Sequence, residues 1–309
     1  MLEAGERIAG LVERTPLIET EIAGDRLWLK CESLQTGGAF KLRGATNRLL
    51  QLGPAERERG VVAFSSGNHA RGVAIAARRL GIKAVIVMPA DAPAVKIEGT
   101  RAEGAKIIFY DRASESREEI AARLAEETGA TVVPSFADPA IVAGQGTVGL
   151  EILTQLAEVG EQPPAQIIIP CGGGGLSSGI ALASPDADIV VVEPEGWDDM
   201  RRSLEQSEIV PVAPDAPPTL CDALQTPRVS RITLDILEAR RAQALAVSDE
   251  EVRGAIRFAW KEHGLVVEPG GAAALAAILA GKAEAKPGTV VILSGSNIDP
   301  ALHARIVGS

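Results

Sequence analysis

The chain has 309 residues, 46% of them hydrophobic, enough for a large buried core in one large domain or two closely packed ones. A formal net charge of -10 and an aromatic content of 3% argue against a nucleic-acid partner, which needs a basic surface and stacking platforms. No apolar run reaches the roughly 20 residues that span a bilayer, so no membrane partner is expected; the acidic start lacks a secretory-signal layout, and Cys31, Cys171 and Cys221 form no CxxC pair, so the setting reads as cytoplasmic.

The first pattern with chemical content is TGGAFKLRG at residues 36–44. Gly37 and Gly38 let backbone approach a ligand closely, and Lys41 follows Ala39 and Phe40. A lysine beside apolar surface loses solvation, its pKa falls, and the neutral amine becomes a nucleophile. Taken alone, the pattern favours a surface lysine after a flexible turn. Next, a β-rich run at 61–65 leads into SSGNHA at 65–70. Ligands bind at the carboxyl ends of strands in open α/β sheets, and a helix start with small hydroxyl residues can hold a carboxylate. Ser65, Ser66 and Asn68 serve equally well as simple helix caps. Ala70, Val73, Ala74 and Ala77 then form one apolar helical stripe.

Further β-rich runs lie at 84–88, 106–110, 166–170, 189–192 and 289–293. Their near-continuous Val/Ile content suits strands buried on both faces. Alternation with helical patterns predicts an α/β fold with mostly parallel sheets, one built between residues 60 and 136 and another after residue 165. PCGGGGLSS at 170–178 follows one of these runs, and its four glycines can turn several N–H groups toward one phosphate. The spacing is neither GxGxxG nor Walker A, so a phosphate is indicated without a dinucleotide or NTP; a turn without a ligand is the minority reading. In VEPEGWDDM at 192–200, Glu193, Asp199 and a turn carbonyl can ligate a hard cation, although spacing alone favours Asp198 and Asp199 as acids at a helix start. The proline-rich stretch 210–219 reads as an extended surface connection. LSGSNID at 293–299 puts Ser294 at another strand end, where a generic turn is the alternative. His69, His263 and His303 have no paired metal spacing, and the last two read as helix-surface residues. Patterning that persists to residue 305 leaves no terminal regulatory domain expected.

Taken in this order, the motifs resemble fold-type II pyridoxal-phosphate enzymes, nearest the serine/threonine dehydratases and serine racemase, from TPL at Thr15 to SGSNID at 294–299. The resemblance implies a tryptophan-synthase-β-like α/β fold of two open twisted-sheet domains with the active site between them. The small domain would span 60–136, and the large, cofactor-binding one 1–59 and 137–309. It implies pyridoxal 5'-phosphate on Lys41 as the Schiff-base lysine, with Phe40 beside the ring and Asn68 at the 3'-oxygen. Gly172, Gly173, Gly174, Gly175 and Leu176 would cradle the phosphate, and Ser294 would face the pyridine nitrogen. Ser65, Ser66, Gly67 and His69 would meet the substrate carboxylate, with Arg117 (in ESREE) and Glu268 (in VEPGGAA) at the pocket. Glu193, the Trp197 carbonyl and Asp199 match a divalent-cation site for Mg²⁺, Ca²⁺ or Mn²⁺, which reverses the reading from spacing alone.

The implied activity is α,β-elimination on serine or threonine, giving a 2-oxo acid and ammonia, with Lys41 as base at Cα. Ser66, opposite Lys41, would add serine racemisation, and the family implies a homodimer. One alternative is 3-hydroxyaspartate dehydratase giving oxaloacetate and ammonia, with Arg117 pairing the second carboxylate. Another, of a different class, is a non-catalytic cofactor- or metabolite-binding protein. Two departures stand out: SGSN replaces the commoner SGGN at Ser296, and VPSFADP has Ser135 where the racemase has asparagine.

Overall fold

The computed structural model describes every residue except Ser66, Pro93, Ala113 and Ser309. Among the described residues the strands, in chain order, are β1 (Leu17–Ile22), β2 (Asp25–Lys30), β3 (Val61–Phe64), β4 (Ala84–Pro89), β5 (Lys106–Tyr110), β6 (Thr131–Val132), β7 (Gln166–Pro170), β8 (Asp188–Pro194), β9 (Gln243–Val247) and β10 (Val290–Ile292). They form two sheets, ordered β1-β2-β10-β7-β8-β9 and β5-β4-β3-β6. Every pairing is parallel except the β1–β2 hairpin, whose register sets Leu17 against Lys30 and Ile22 against Asp25. The larger sheet therefore does not arise wholly after residue 165, because its first two strands come from the N-terminal 30 residues.

Alternate residues of the central strands feed two cores. Ile168, Val190, Val192 and Val291 face the helices Asp249–His263 and Pro269–Leu279. Ile167, Ile169, Val191 and Ile292 face the helices Thr147–Glu158, Gly175–Ala183 and Arg231–Ala239. Burial on both faces is what continuous Val/Ile runs require. The Pro269–Leu279 helix, PGGAAALAAIL, is small enough to lie against the strands: a Cβ on Gly271 would overlap the Gly295 carbonyl.

The four-stranded sheet has its own core, in which Val61, Ala63, Ile86 and Met88 pack with Leu42, Ala45, Leu49 and Ile141. The helices Lys41–Leu50 and Asn68–Leu80 supply much of it. Packing thus reaches beyond residues 60–136, drawing in the helix that Lys41 begins. The stretch 210–219 contains no helix or strand.

Candidate active site

Both sheets present the carboxyl ends of their parallel strands to one cleft that opens to solvent. Phe40, Lys41, Ser65, Gly67, Asn68 and His69 line it, together with Arg117, Gly172, Gly173, Gly174, Gly175, Leu176 and Ser294. Ser66 lies outside the described residues.

Lys41 reaches this cleft through a stitched loop. Gly37 and Gly38 take positive φ (80° and 75°), which L side chains rarely adopt. Asn297 Nδ2 donates to the Gly37 carbonyl (2.9 Å), the Ser296 amide donates to the Gly38 carbonyl (2.8 Å), and the Phe40 amide donates to the Ser294 carbonyl (3.2 Å). Ser296 has no positive φ, and its hydroxyl donates to the Ser33 carbonyl at 2.7 Å. Serine therefore fits the turn where the commoner pattern has glycine. Lys41 then opens a helix, and its Nζ donates to the Ser135 carbonyl (3.0 Å) and lies 5.1 Å from the Phe40 ring centre. Burial lowers its pKa to about 8.

Beneath Lys41, Arg43 is fully buried and bidentate to Glu32 (2.8 Å for each bond), with Glu151 on its other side (2.6 Å). This cluster fixes the pitch of the helix that carries the amine.

Asn68 begins the helix after β3. Its Oδ1 accepts from Asn297 Nδ2 (2.8 Å) and its Nδ2 donates to Glu268 Oε1. His69 is buried, and its Nε2 bonds the Val133 carbonyl (2.9 Å). Desolvation, then the nearby Lys41 charge, lowers its pKa to about 3, so the ring is neutral and Nε2 is the donor. Ser65 Oγ accepts from the Gly67 amide at 3.2 Å. Arg117 opens the helix Arg117–Thr128 at the cleft wall, stacked 5.6 Å from the Phe64 ring, with Glu118 as its carboxylate partner at 3.0 Å.

The glycine loop joins β7 to the helix Gly175–Ala183. Gly174 has φ 84°, and a Cβ there would come within 2.6 Å of Met200. A Cβ on Gly173 would overlap the Phe136 ring. Neighbouring side chains leave no room for a Cβ at these positions, and the loop backbone itself lines the cleft at a helix start, where N–H groups can meet a phosphate.

Glu268, the residue before the Pro269–Leu279 helix, sits behind Asn68 and is 1% exposed. Desolvation raises its pKa to about 7 against the pull of Lys96. Lys96 lies 3.8 Å from Glu268 Oε2 and also pairs with Asp222. Lys96, Asp222 and Asn297 had no place in the sequence reading. A lone lysine in the otherwise mild segment APAVKIEG was the available signal for Lys96.

Glu193, Trp197 and Asp199 stand apart from the cleft lining. Glu193 is fully buried, and its two oxygens accept from the amides of Met200 (2.9 Å) and Arg201 (2.8 Å), capping the helix Asp199–Gln206. Capping therefore falls to Glu193, while Asp198 pairs with Arg201 and Arg202. Asp199 is buried and neither of its carboxylate oxygens has a hydrogen-bond partner. Desolvation first, then the neighbouring Asp199 charge, pushes the Glu193 pKa well up, and burial raises Asp199 to about 7. Among the described residues no group of three or more His, Cys, Asp or Glu side chains is placed to hold a metal.

A sequence profile described as "Pyridoxal-phosphate dependent enzyme" matches residues 8–295. The chain belongs to that family. It is 41% identical to an L-threo-3-hydroxyaspartate ammonia-lyase from Pseudomonas sp, over 99% of this chain and 97% of the relative. It is 38% identical to a serine racemase from Schizosaccharomyces pombe, over 98% and 95%. Among solved structures, a threonine deaminase from T.th. superposes with TM-score 0.89 at 42% identity, covering 96% of this chain and 97% of that one. Maize serine racemase superposes with TM-score 0.91 at 36% identity, covering 98% and 94%. The architecture is the fold-type II arrangement that the motif order implied, and pyridoxal 5'-phosphate is the family's cofactor. The cradle suits it: a desolvated amine with no carboxylate partner among the described residues on one side of the cleft, a glycine-built helix start on the other.

Proposed function

We propose that the protein catalyses α,β-elimination on a small hydroxyamino acid, releasing a 2-oxo acid and ammonia. The observation that carries this reading is the Lys41 amine, desolvated to a pKa of about 8 in the same cleft as the glycine loop. When bound, the cofactor supplies a sink for the electron pair left at Cα. Lys41 would hold it, and its amine is the group placed to take the Cα proton; a pKa of about 8 leaves about a tenth of that amine unprotonated at pH 7, far more than an exposed lysine has. The N–H groups of residues 172–175 would hold the phosphate, the Asn68 amide would meet the 3'-oxygen, and Ser294 would meet the ring nitrogen through a hydroxyl rather than a carboxylate; all of these residues line the cleft. A hydroxyl gives weak support to a protonated ring, which suits elimination over transamination. Gly67, Ser65 and His69 offer the substrate carboxylate a helix start with a neutral histidine. Lys41→Ala should abolish turnover and the absorbance band of bound cofactor while the fold survives; normal turnover in that variant would sink the reading.

Arg117 supports a second reading within the same chemistry, 3-hydroxyaspartate as substrate. Its guanidinium lines the cleft and its carboxylate partner, Glu118, is exposed, so a second substrate carboxylate can displace that contact. A panel of serine, threonine and 3-hydroxyaspartate stereoisomers, assayed for 2-oxo acid, separates the two. Ser66 is assigned racemisation from sequence resemblance alone. Ser66→Ala should lower D-serine formation by about 10²–10⁴-fold while sparing pyruvate formation.

Mg²⁺, Ca²⁺ or Mn²⁺ is assigned to Glu193, Asp199 and the Trp197 carbonyl. Support comes from two buried carboxylates, with the Asp199 charge helping to raise the Glu193 pKa and both Asp199 oxygens unpartnered. A small lobe of residues 60–136, a homodimeric assembly and a cytoplasmic setting complete the reading. The separate four-stranded sheet supports the lobe and three buried free cysteines the setting, while the homodimer rests on family resemblance alone.

A further inference from the structure

Lys96 is a side chain of the cleft wall whose charge the elimination chemistry leaves unused while its burial is nearly complete (7% exposed). It rises from the helix Ala94–Ala102, which follows β4 in the four-stranded sheet. Its two carboxylate partners come from the other sheet's side: Asp222, in the short turn Asp222–Leu224, and Glu268, ahead of the Pro269–Leu279 helix. Burying an ammonium is costly unless it is paired, so this pairing needs an account.

The hydrogen bonds around Glu268 run in one direction. Arg71 Nη1 donates to Asn297 Oδ1 (3.0 Å), and Asn297 Nδ2 donates both to the Gly37 carbonyl (2.9 Å) and to Asn68 Oδ1 (2.8 Å). An arginine cannot accept, so the Asn297 amide has one orientation, and that fixes the Asn68 amide with its oxygen toward Asn297. Asn68 must then present its NH₂ group to Glu268, which has to accept. A protonated Glu268 still accepts through its carbonyl oxygen, but the bond from Asn68 then loses its charge assistance and weakens. Glu268 is buried beside Asp222, and both circumstances favour protonation; Lys96 is the opposing charge. Burial works against the Lys96 ammonium, but the Glu268 and Asp222 carboxylates outweigh it and keep it charged.

We propose that Lys96 is a positioning residue: it holds Glu268 ionised, as a charge-assisted hydrogen-bond acceptor, and Glu268 in turn holds the Asn68 amide with its second N–H free for the 3'-oxygen of the cofactor. The inference rests on the cofactor reading above. Lys96 touches no reacting atom in this role; it acts through Glu268 and Asn68, joining the two sheets as it does so.

The test uses the absorbance spectrum of the cofactor-loaded protein, followed from pH 5 to 9, beside steady-state kinetics. The charged groups facing Glu268 are Lys96 and Asp222, so loss of the ammonium leaves only a like charge beside it. Lys96→Met should move the spectral transition up by about one pH unit or more and lower kcat by about tenfold or more, with a smaller change in KM. Lys96→Arg should restore the wild-type profile. Glu268→Gln should alter the spectrum on its own, and adding Lys96→Met to it should change the spectrum no further. A wild-type spectrum and pH profile in Lys96→Met, with only the melting temperature lowered, would overturn the inference. So would independent, additive effects in the double variant, or an unaltered spectrum in Glu268→Gln if Lys96→Met fails to fold. A wild-type protein that shows no cofactor band at all overturns the cofactor reading as well; a normal band insensitive to both substitutions overturns only the role of Lys96.

Discussion

Lys41 differs from the surface lysines in its partners among the described residues: no paired carboxylate, one carbonyl at 3.0 Å and an aromatic ring. Its folded pKa, about 8, lies below the ordinary 10.5, so the reactive neutral form appears at lower pH than for an exposed lysine. Only that form attacks an aldehyde. The rate at which apoprotein takes up pyridoxal 5'-phosphate should therefore climb about tenfold per pH unit below 8 and level off above it, as followed by stopped-flow absorbance. A rate still rising steeply at about pH 10 would show the amine to be solvated. At this scale sequence reasoning had limited reach. The small apolar neighbours of Lys41 hinted at desolvation, but TGGAFKLRG taken alone favoured a surface position, and only the order of five motifs reversed that.

The helix that Lys41 opens has two attachments. Leu42, Ala45 and Leu49 pack into the core of the four-stranded sheet, and Arg43 drives into the Glu32–Glu151 pair beneath the six-stranded one. Arg43→Met removes the counter-charge that Glu32 meets at bidentate distance and should cost about 3–5 kcal/mol, read by denaturant titration. The glycine loop is as exacting. Gly174→Ala places a Cβ at φ 84°, against Met200 and Thr233, and should weaken both stability and cofactor retention on dialysis. Most strands were legible because buried parallel strands are written as Val/Ile runs. The β1–β2 hairpin was not, since LIETEI and DRLWLK are short, charge-bearing runs outside the Val/Ile pattern and turn at Ala23 and Gly24, without an Asn-Gly signal. β9 and β6 were too short or too Ala-rich to register.

Across the whole molecule, charges far apart in sequence meet where the two sheets face each other. Lys96 and Glu268 are one such pair, and neither neighbourhood hints at the other; long-range pairing of this kind has no local signature. The Glu193–Asp199 pair is closer in sequence, and its spacing was visible while its burial was not. Two buried carboxylates without a cation should destabilise the fold, so exhaustive chelation should lower the melting temperature by several degrees and added Mg²⁺ should restore it. An unchanged melting temperature after chelation removes the cation from the account. The double attachment of the Lys41 helix has a bearing on engineering. A chimera that grafts residues 60–136 of one relative onto the frame of another would leave Leu42, Ala45 and Leu49 packed against a foreign core. The first casualty would be the angle of Lys41, before any lining residue had been changed. The segment to exchange is therefore discontinuous, with residues 41–50 and Ile141 travelling alongside the inserted lobe.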